Sequence, residues 1–312
     1  MITLLIIALI AHHKFFSYHY EKDPYIHLFT KEKFDLKYKN FKIPFKKKFL
    51  DGYLYYKDIK YKNKLIIFAH GMWSNHESYM QDIAYYALQG YMVFSFDYYG
   101  VAKSEGKTIR GFGNSIKSLD YAIRYIKNDA ELKDKELYVI GHSWGGFATI
   151  NIVKYHKDIK KICALSPFVS IPKILDTTLK GIQKMFIPFM VLVDYFKCGK
   201  YSFSNGVKSL KNYNGKIMLI QSIDDKMVPY VNAVGYIKKK LNDKDINYLI
   251  LNDRGHNPNY TKEAILNMKS YAEQIKGLEG DILNDFKMNY NFHSMGELDE
   301  KTMKEIMDYL ND

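Results

Sequence analysis

Cysteine is scarce in this sequence, which has only Cys163 and Cys198 among its 312 residues. Two isolated cysteines exclude a disulfide framework and provide no zinc-ligand spacing, so we expect a reducing compartment and neither a metal nor a cofactor. Internal repeats and low-complexity linkers are also absent from the sequence. The apolar fraction of 47% and the charged fraction of 26% are those of a soluble globular protein. The length suits one large α/β domain with an insertion, or two small domains.

Long hydrophobic runs are missing too. Residues 2–11 are nearly all apolar, but ten helical residues extend only about 15 Å, which is half of a bilayer core. No basic residues precede this run and no clear cleavage site follows it, so a secretory signal is weakly supported. For residues 1–20 a short membrane anchor, a signal remnant and a segment packed on the domain all stay open. Basic residues after the run favour a cytoplasmic protein whose N-terminus makes peripheral contact with an anionic membrane leaflet.

Acidic residues are few in one part of the chain and abundant in another. The formal net charge is +12, with 13 lysines against 6 acidic residues in 1–63, and 3 lysines against 9 acidic residues in 278–312. Nucleic-acid binding would require a basic face with interleaved aromatics and a recognisable fold, which this sequence does not offer. We interpret most lysines as scattered, solvated surface, and we expect no nucleic-acid partner. The sequence leaves the oligomeric state open.

The distribution of apolar residues predicts the fold. Residues 34–62 alternate between apolar and polar, with Gly52 as a turn, which predicts two or three antiparallel strands. Continuous apolar runs then indicate strands buried on both faces of a parallel sheet, and helical patterns fill most of the intervals. This order predicts an α/β protein with a mostly parallel sheet, antiparallel N-terminal strands and helices on both faces. The apolar runs are 65–69, 92–96, 137–140, 162–165, 217–220 and 248–251, and the helical patterns are 76–89, 114–128, 144–156, 230–241 and 260–276.

Two segments depart from this alternation. Residues 168–212 make a connection far longer than a crossover requires, and we predict a helical cap over the carboxyl ends of the strands, with an ordinary core helix as the alternative. Its candidates for contact with a substrate are Met185, Phe186 and Phe189.

Residues 278–312 lie outside the domain predicted at 34–277, and we expect an acidic helical extension that docks on the domain or binds a partner. In this extension residues 294–297 resemble a capping box, and apolar residues recur at helical spacing at Met303, Ile306, Met307 and Leu310.

The most informative motif is Gly141-His142-Ser143-Trp144-Gly145, which stands between an apolar strand and a helical pattern. A serine at such a turn is forced into a strained backbone that lifts its hydroxyl out of the sheet. The flanking glycines are required because side chains would clash with the incoming helix. The five-letter pattern alone should occur by chance in about one in ten chains of this length. Its meaning therefore depends on what else the chain supplies.

A serine nucleophile requires a neighbouring base and an acid that orients the base. His256 follows the last apolar strand directly, where its side chain can reach the carboxyl edge of the sheet. Asp224 and Asp225 follow the strand before it, and an aspartate there points toward the same edge. One aspartate could instead stabilise the turn, so both stay candidates, with Asp225 preferred.

Acyl transfer also requires two backbone N–H groups directed at the developing oxyanion. Trp144, the residue after the serine, supplies one of them. Met72, in the loop after residues 65–69, is the candidate for the second.

Serine, aspartate and histidine follow one another in the order found in α/β-hydrolases, which this chain resembles from about residue 34 to 274. The most similar branch contains monoacylglycerol lipases, lysophospholipases and serine aminopeptidases. The resemblance implies an α/β-hydrolase fold with Ser143 as nucleophile, Asp225 as orienting acid and His256 as general base. Asp97 also follows a strand, but the resemblance of the chain to α/β-hydrolases implies that this aspartate organises its own loop. The chain departs from the usual pattern at Trp73, where a small residue is expected. The motifs that carry the resemblance are His70-Gly71, Asp97-Tyr98-Tyr99-Gly100 with Ser104-Glu105-Gly106, the motif around Ser143, Asp225-Lys226-Met227-Val228-Pro229 and Gly255-His256.

The composition of the cap guides the choice of substrate. Residues 168–212 hold seven lysines but only two acidic residues, Asp176 and Asp194. An aminopeptidase would need carboxylates to hold the substrate ammonium, whereas an apolar and basic cap suits an acyl chain and an anionic headgroup. We therefore predict a serine hydrolase that cleaves a small-molecule acyl ester, such as an acylglycerol or a lysophospholipid. A serine aminopeptidase-like peptidase or an acyl thioesterase is the alternative, and a non-catalytic binding protein is a third hypothesis.

Overall fold

One eight-stranded sheet forms the centre of the molecule, of which a computed structural model describes residues 2–26 and 29–312. In chain order the strands are β1 (Lys37–Phe45), β2 (Lys48–Tyr56), β3 (Lys64–Ala69), β4 (Met92–Phe96), β5 (Glu136–His142), β6 (Lys161–Leu165), β7 (Lys216–Ser222) and β8 (Asn247–Leu251). They lie side by side in the order β1-β2-β4-β3-β5-β6-β7-β8. β2 pairs antiparallel with β1 and β4, and the other neighbouring strands pair in parallel. The predicted sheet is therefore confirmed.

Helices cover both faces of this sheet. β3 shows how the faces are divided, because Leu65 and Ile67 join one buried apolar cluster while Ile66 and Phe68 join another. Since both faces of such a strand are buried, it is apolar throughout. The helices are α1 (Ile2–Phe16), α2 (Met80–Leu88), α3 (Asn114–Asn128), α4 (Trp144–Ile152), α5 (Ile171–Thr178), α6 (Ile187–Cys198), α7 (Gly206–Lys211), α8 (Val234–Lys240), α9 (Lys262–Gln274), α10 (Gly280–Asn289) and α11 (Glu300–Asn311). The first cluster includes residues of α3, α4 and α8, and the second includes residues of α2 and α11.

The turn between the first two strands is not at Gly52, as the sequence suggested. Gly52 lies inside β2, between β1 and β4. The chain reverses instead at residues 46–47, where Lys46 has a φ of 58°. A Cβ on Gly52 would stand 2.8 Å from Ile43 Cδ1 and 3.0 Å from Phe94 Cζ, so side chains from both neighbouring strands would have to shift. Close packing between strands therefore explains this glycine.

The segment predicted as a cap, residues 168–212, is helical. It contains α5, α6 and α7 together with short 3-10 helices at Gly181–Phe186 and Gly199–Phe203, and we call it the cap. α1 packs on α6 of the cap. Within residues 2–26 and 29–312, no helix combines the length and the apolar character needed to cross a membrane. Met1 of the predicted N-terminal segment lies outside the described residues.

The C-terminal extension docks on the sheet through α11. Met303, Ile306 and Leu310 are buried in the second apolar cluster. The capping box predicted at residues 294–297 is wrong, because α11 begins later. Its cap is Asp299, whose carboxylate accepts the N–H of Thr302, while residues 294–295 belong to the separate 3-10 helix Phe292–Met295.

Replacing Ile306 with alanine should lower the free energy of unfolding by about 2–5 kcal/mol, because a fully buried side chain is lost and a cavity remains. Leu266→Ala is the control, since Leu266 is 62% exposed on α9 and its loss should change the free energy by less than about 0.5 kcal/mol. Urea denaturation measures both variants. Wild-type stability in the Ile306→Ala variant would contradict the docking of α11.

Candidate active site

Ser143 stands at the turn from β5 to α4 in a strained backbone conformation. Its φ of 55° and ψ of −111° lie in a region that side chains rarely adopt, at a cost of about 1–3 kcal/mol. The Ser143 N–H donates to the carbonyl oxygen of Leu165 at 2.8 Å, and the Ser143 carbonyl accepts the N–H of Phe147 at 2.8 Å. Bonds from β6 and from α4 therefore hold the strained turn in place.

Both glycines of the motif are required by close packing. A Cβ on Gly145 would stand 1.9 Å from the Ala69 carbonyl oxygen at the end of β3, and one on Gly141 would stand 2.5 Å from Thr149 Oγ1. Contacts this short force atoms apart, so neither position accepts a side chain unless the surrounding structure moves. The close approach also brings α4 to the end of β3, where the loop with Met72 begins.

His256 and Asp225 meet at the carboxyl edge of the sheet. His256 Nδ1 lies 2.9 Å from Asp225 Oδ2. The other carboxylate oxygen, Oδ1, accepts the N–H groups of Met227 and Val228 at 2.9 Å each. An ionised carboxylate only accepts hydrogen bonds, so His256 carries its proton on Nδ1 and has Nε2 as its basic nitrogen.

Asp224, the competing acid, has a different set of partners. Its Oδ1 accepts the hydroxyl of Ser222 and the N–H of Gly255 at 3.1 Å. Asp224 therefore connects the loop after β7 to the loop after β8, and Asp225 is the aspartate that pairs with His256.

His256 Nε2 is buried, and no protein group in the described chain hydrogen-bonds to it. Buried polar atoms without a partner cost about 1–3 kcal/mol, and each calls for an explanation such as a catalytic role. The His256 ring lies 4.9 Å from the ring of His142, the residue before Ser143. No hydrogen bond joins Ser143 to Nε2 in this structure, and catalytic bonds of this kind often tighten only when substrate binds.

The predicted oxyanion donors belong to the start of α4 and to the loop after β3. Trp144 is the first residue of α4, so its N–H has no acceptor within the helix. Met72 follows His70, whose imidazole fixes this loop: Nδ1 donates to the Gly71 carbonyl at 2.7 Å, and Nε2 accepts the N–H of Tyr98 at 3.3 Å. Burial lowers the pKa of His70 to about 4, which keeps the ring neutral and preserves both bonds.

The other residues singled out in the sequence lie on the cap and directly after β4. Met185 is exposed on the cap, and Phe186 and Phe189 are half-buried there, so contact with a substrate stays a prediction for all three. Asp97 Oδ1 accepts the N–H of His76 at 2.9 Å and lies 2.9 Å from its Nδ1. These bonds agree with a structural role for Asp97.

Comparison with known proteins supports the fold. Residues 61–200, just under half of the chain, match the family described as serine aminopeptidase, S33. The esterase Pf2001 of Pyrococcus furiosus has a similar structure, with a TM-score of 0.59 and 21% identity over 82% of this chain and 96% of that one. The chain therefore has the α/β-hydrolase fold, and part of it matches a hydrolase family. No curated protein matches its sequence.

Two further solved structures show the range of these similarities. Est1E of Butyrivibrio proteoclasticus, solved with ferulic acid bound, has a TM-score of 0.54 and 19% identity over 76% of this chain and 99% of that one. The acylaminoacyl peptidase of Pyrococcus horikoshii has a TM-score of 0.51 and 16% identity over 80% of this chain and 44% of that one. Esterases and peptidases are thus both among the structures with this fold, and the family match supports a hydrolase.

Two residues of the site were not predicted from the sequence. His142 Nε2 lies 2.8 Å from the carbonyl oxygen of His256, and Nδ1 lies 2.7 Å from the hydroxyl of Tyr79. A carbonyl only accepts, so His142 donates from Nε2 and accepts the Tyr79 hydroxyl at Nδ1. The Tyr79 oxygen in turn accepts the N–H of Gly71 at 3.2 Å. Burial, reinforced by the nearby His256, lowers the pKa of His142 to about 3, so a neutral chain of bonds joins the Met72 loop, the serine turn and the His256 loop.

The loop after His256 is held from two directions. On α2, Asp82 accepts Asn259 Nδ2 at 2.6 Å and the Tyr260 hydroxyl at 3.0 Å. From the C-terminal extension, the N–H of Asp299 donates to the Asn259 carbonyl at 2.8 Å. Asp82 is buried, and burial raises its pKa to about 7.

Asp82 should make the stability of this protein depend on pH. Its pKa is near 4 in an unfolded chain and about 7 in the folded protein, so the folded state keeps a proton that the unfolded state releases. The resulting stabilisation is complete below about pH 4 and is lost as the pH rises to about 7, by at most about 1.4 kcal/mol per pH unit. Asp82→Asn cannot ionise and should remove this slope. Urea denaturation of the wild type and of the Asp82→Asn variant at about pH 5 and about pH 8 measures this slope. An equal change of stability with pH in the two proteins would contradict the role of Asp82.

Proposed function

We propose that this protein is a serine hydrolase that cleaves carboxylic esters of acyl chains, such as acylglycerols or lysophospholipids. The observation that carries the proposal is the pairing of His256 with Asp225 at the sheet edge that also holds the strained Ser143. The buried and unpartnered Nε2 of His256 supports its role as general base, because a base must have a nitrogen available to accept a proton.

In the proposed reaction, Ser143 Oγ attacks the ester carbonyl carbon while His256 Nε2 takes the hydroxyl proton. The N–H groups of Met72 and Trp144 stabilise the negative charge that forms on the carbonyl oxygen, and Asp225 stabilises the imidazolium. When the bond to the leaving oxygen breaks, the imidazolium gives its proton to the departing alcohol. A water then attacks the acyl-enzyme, gives a proton to His256 and releases the carboxylic acid, and Ser143 regains its proton.

The cap favours an ester over a peptide as the substrate. Of its two acidic residues, Asp194 is fully buried and accepts the N–H of Phe112 at 2.6 Å. Asp176 forms an ion pair with Lys184 at 2.7 Å. Both carboxylates are therefore engaged within the protein, whereas a peptidase would use such groups to hold the substrate ammonium.

A serine aminopeptidase-like peptidase, or an acyl thioesterase, is the second candidate on the same residues. The match to the family described as serine aminopeptidase, S33, is the observation that favours a peptidase. Hydrolysis rates for a chain-length series of acyl esters, measured beside acyl thioesters and aminoacyl amides, separate these candidates. The highest kcat/KM for an ester supports the proposal, and a preference for aminoacyl amides would reverse the ranking.

Replacing Ser143 with alanine should abolish covalent labelling by a fluorophosphonate probe, because the probe reacts with an activated serine hydroxyl. Ser270→Ala, at an exposed serine of α9, is the control and should label like the wild type. Labelling that survives in the Ser143→Ala variant would refute the nucleophile. Wild-type protein that fails to label would instead favour the non-catalytic binding protein.

Tyr79→Phe should lower kcat by about tenfold or more, because it removes the hydroxyl that joins Gly71 to His142 and so loosens the predicted oxyanion loop. The loss of stability should be only about 1–3 kcal/mol. Tyr91→Phe is the matched control, since the buried Tyr91 donates to Asn311 Oδ1 at 2.9 Å away from the site. Equal losses of kcat in the two variants would show that Tyr79 acts through general stability alone.

A further inference from the structure

The N-terminal helix is anchored to the cap by a buried polar contact. His12 of α1 lies 3.5 Å from Asp194 of α6, and both side chains are buried. Asp194 also accepts the N–H of Gly113 at 3.1 Å. Ala8 and Phe16 are buried on α1 as well. α1 therefore has a defined inner side that faces the cap.

The outer side of α1 is apolar where a helix facing water would be polar. Ile2, Ile6, Leu9 and Ile10 follow the i, i+4, i+7, i+8 spacing of one helix face, and all four are exposed, with Ile10 at 63%. At 15 residues the helix is about 22 Å long, shorter than a bilayer core but sufficient to lie along a membrane surface.

The apolar face of α1 continues onto the cap. Leu9 and Ile10 share a groove of about 330 Å³ with Val193 and Lys197 of α6. On the cap itself, Ile182 is 81% exposed and Phe196 is 70% exposed, and the 3-10 helix that contains Ile182 contacts α1. We define the α1–cap surface by its exposed apolar residues Ile6, Leu9, Ile10, Ile182, Leu192 and Phe196.

The end of α1 contacts the loop that carries Met72. The ring of Phe15, at the end of α1, lies 5.6 Å from the ring of Trp73 in an edge-on arrangement. Trp73 is 51% exposed and has a φ of 54°, which favours glycine and is rarely adopted by a bulky residue. The position where the chain departs from the usual hydrolase motif therefore adds an apolar ring between α1 and the candidate site.

The charged residues around this surface favour an anionic partner. α1 contains no acidic residue, and both carboxylates of the cap are engaged, Asp194 by burial and Asp176 by Lys184. Lys14, Lys180 and Lys197 are exposed. A second copy of the surface would bring lysines against lysines, whereas a bilayer with anionic headgroups complements both the apolar residues and the lysines.

We propose that the α1–cap surface docks on a bilayer that contains anionic phospholipid and places the entrance to the Ser143 site at the lipid surface. This rests on the proposed function in one respect, namely that the acyl ester enters from the bilayer. The helix lies along the membrane with its apolar face among the acyl chains, and the lysines contact the headgroups.

Sedimentation with vesicles tests the docking directly. Full-length Ser143→Ala protein, which binds without turnover, is mixed with vesicles of phosphatidylcholine alone or of phosphatidylcholine with phosphatidylglycerol. Binding should be at least about tenfold tighter to the anionic vesicles and should weaken as salt is added. The double variant Ile10→Asp, Phe196→Asp should lose at least about tenfold in binding.

A matched control comes from another exposed apolar pair outside the surface. Leu266→Asp with Ile282→Asp places two charges on α9 and α10, where the residues are 62% and 70% exposed, and binding should not change. Equal binding to both vesicle types, or equal loss in the two double variants, overturns the proposal. A concentration-dependent dimer that only the Ile10→Asp, Phe196→Asp change dissociates also overturns it, since a second copy would then cover the surface.

Activity separates this proposal from the proposed function. Without the Ser143→Ala change, the Ile10→Asp, Phe196→Asp variant should hydrolyse a water-soluble short-chain ester at the wild-type rate and a vesicle-embedded ester at least about tenfold more slowly. If wild-type protein binds anionic vesicles as expected but cleaves neither ester, the docking stands and the proposed function fails. If it cleaves both esters and the variant does so equally, the proposed function stands and the docking fails.

Discussion

The close approach between the end of β3 and the start of α4 is the constraint on which the candidate site depends. Gly145 packs so closely on the Ala69 carbonyl that a Cβ would stand 1.9 Å from it. This contact holds the start of α4 close to the sheet. The short turn between β5 and α4 then requires the strained backbone conformation of Ser143. The same contact brings the start of α4 to the end of β3, where the loop with Met72 begins. The position and the strain of this turn thus share one steric origin.

The histidines at the carboxyl edge of the sheet are of two kinds, which differ in their hydrogen-bond partners. His70 and His142 are buried, burial lowers the pKa of each, and every ring nitrogen of the two has a hydrogen-bond partner. Both rings are neutral, and their hydrogen bonds join neighbouring loops of the site. His256 differs because it has a carboxylate partner, Asp225, on one nitrogen and, within the described residues, no protein partner on the other.

Sequence patterns predicted the sheet and the loops that carry the candidate site, because both follow from the order of neighbouring residues along the chain. Apolar runs mark buried strands, and the residues after them reach one edge. Gly52 was misinterpreted because its reason, the approach of Ile43, lies on another strand. Tyr79 and Asp82 bond to residues far along the chain, so no periodicity marks them. Asp224 and Asp225 both follow β7 in the sequence. The hydrogen bonds of the structure identify Asp225 as the partner of His256.

The loop with His256 depends on a segment synthesised well after it. The N–H of Asp299 bonds to the Asn259 carbonyl, and the N–H of Thr261 bonds to the Glu297 carbonyl. A chain emerging from the ribosome can close the serine turn as soon as β6 is available, since the Ser143 N–H bonds to Leu165. The two hydrogen bonds that join residues 297 and 299 to its histidine loop can form only once those residues have emerged. Partly synthesised chains therefore have the serine turn before the histidine loop has all of its hydrogen bonds, and the order of translation delays the completed site.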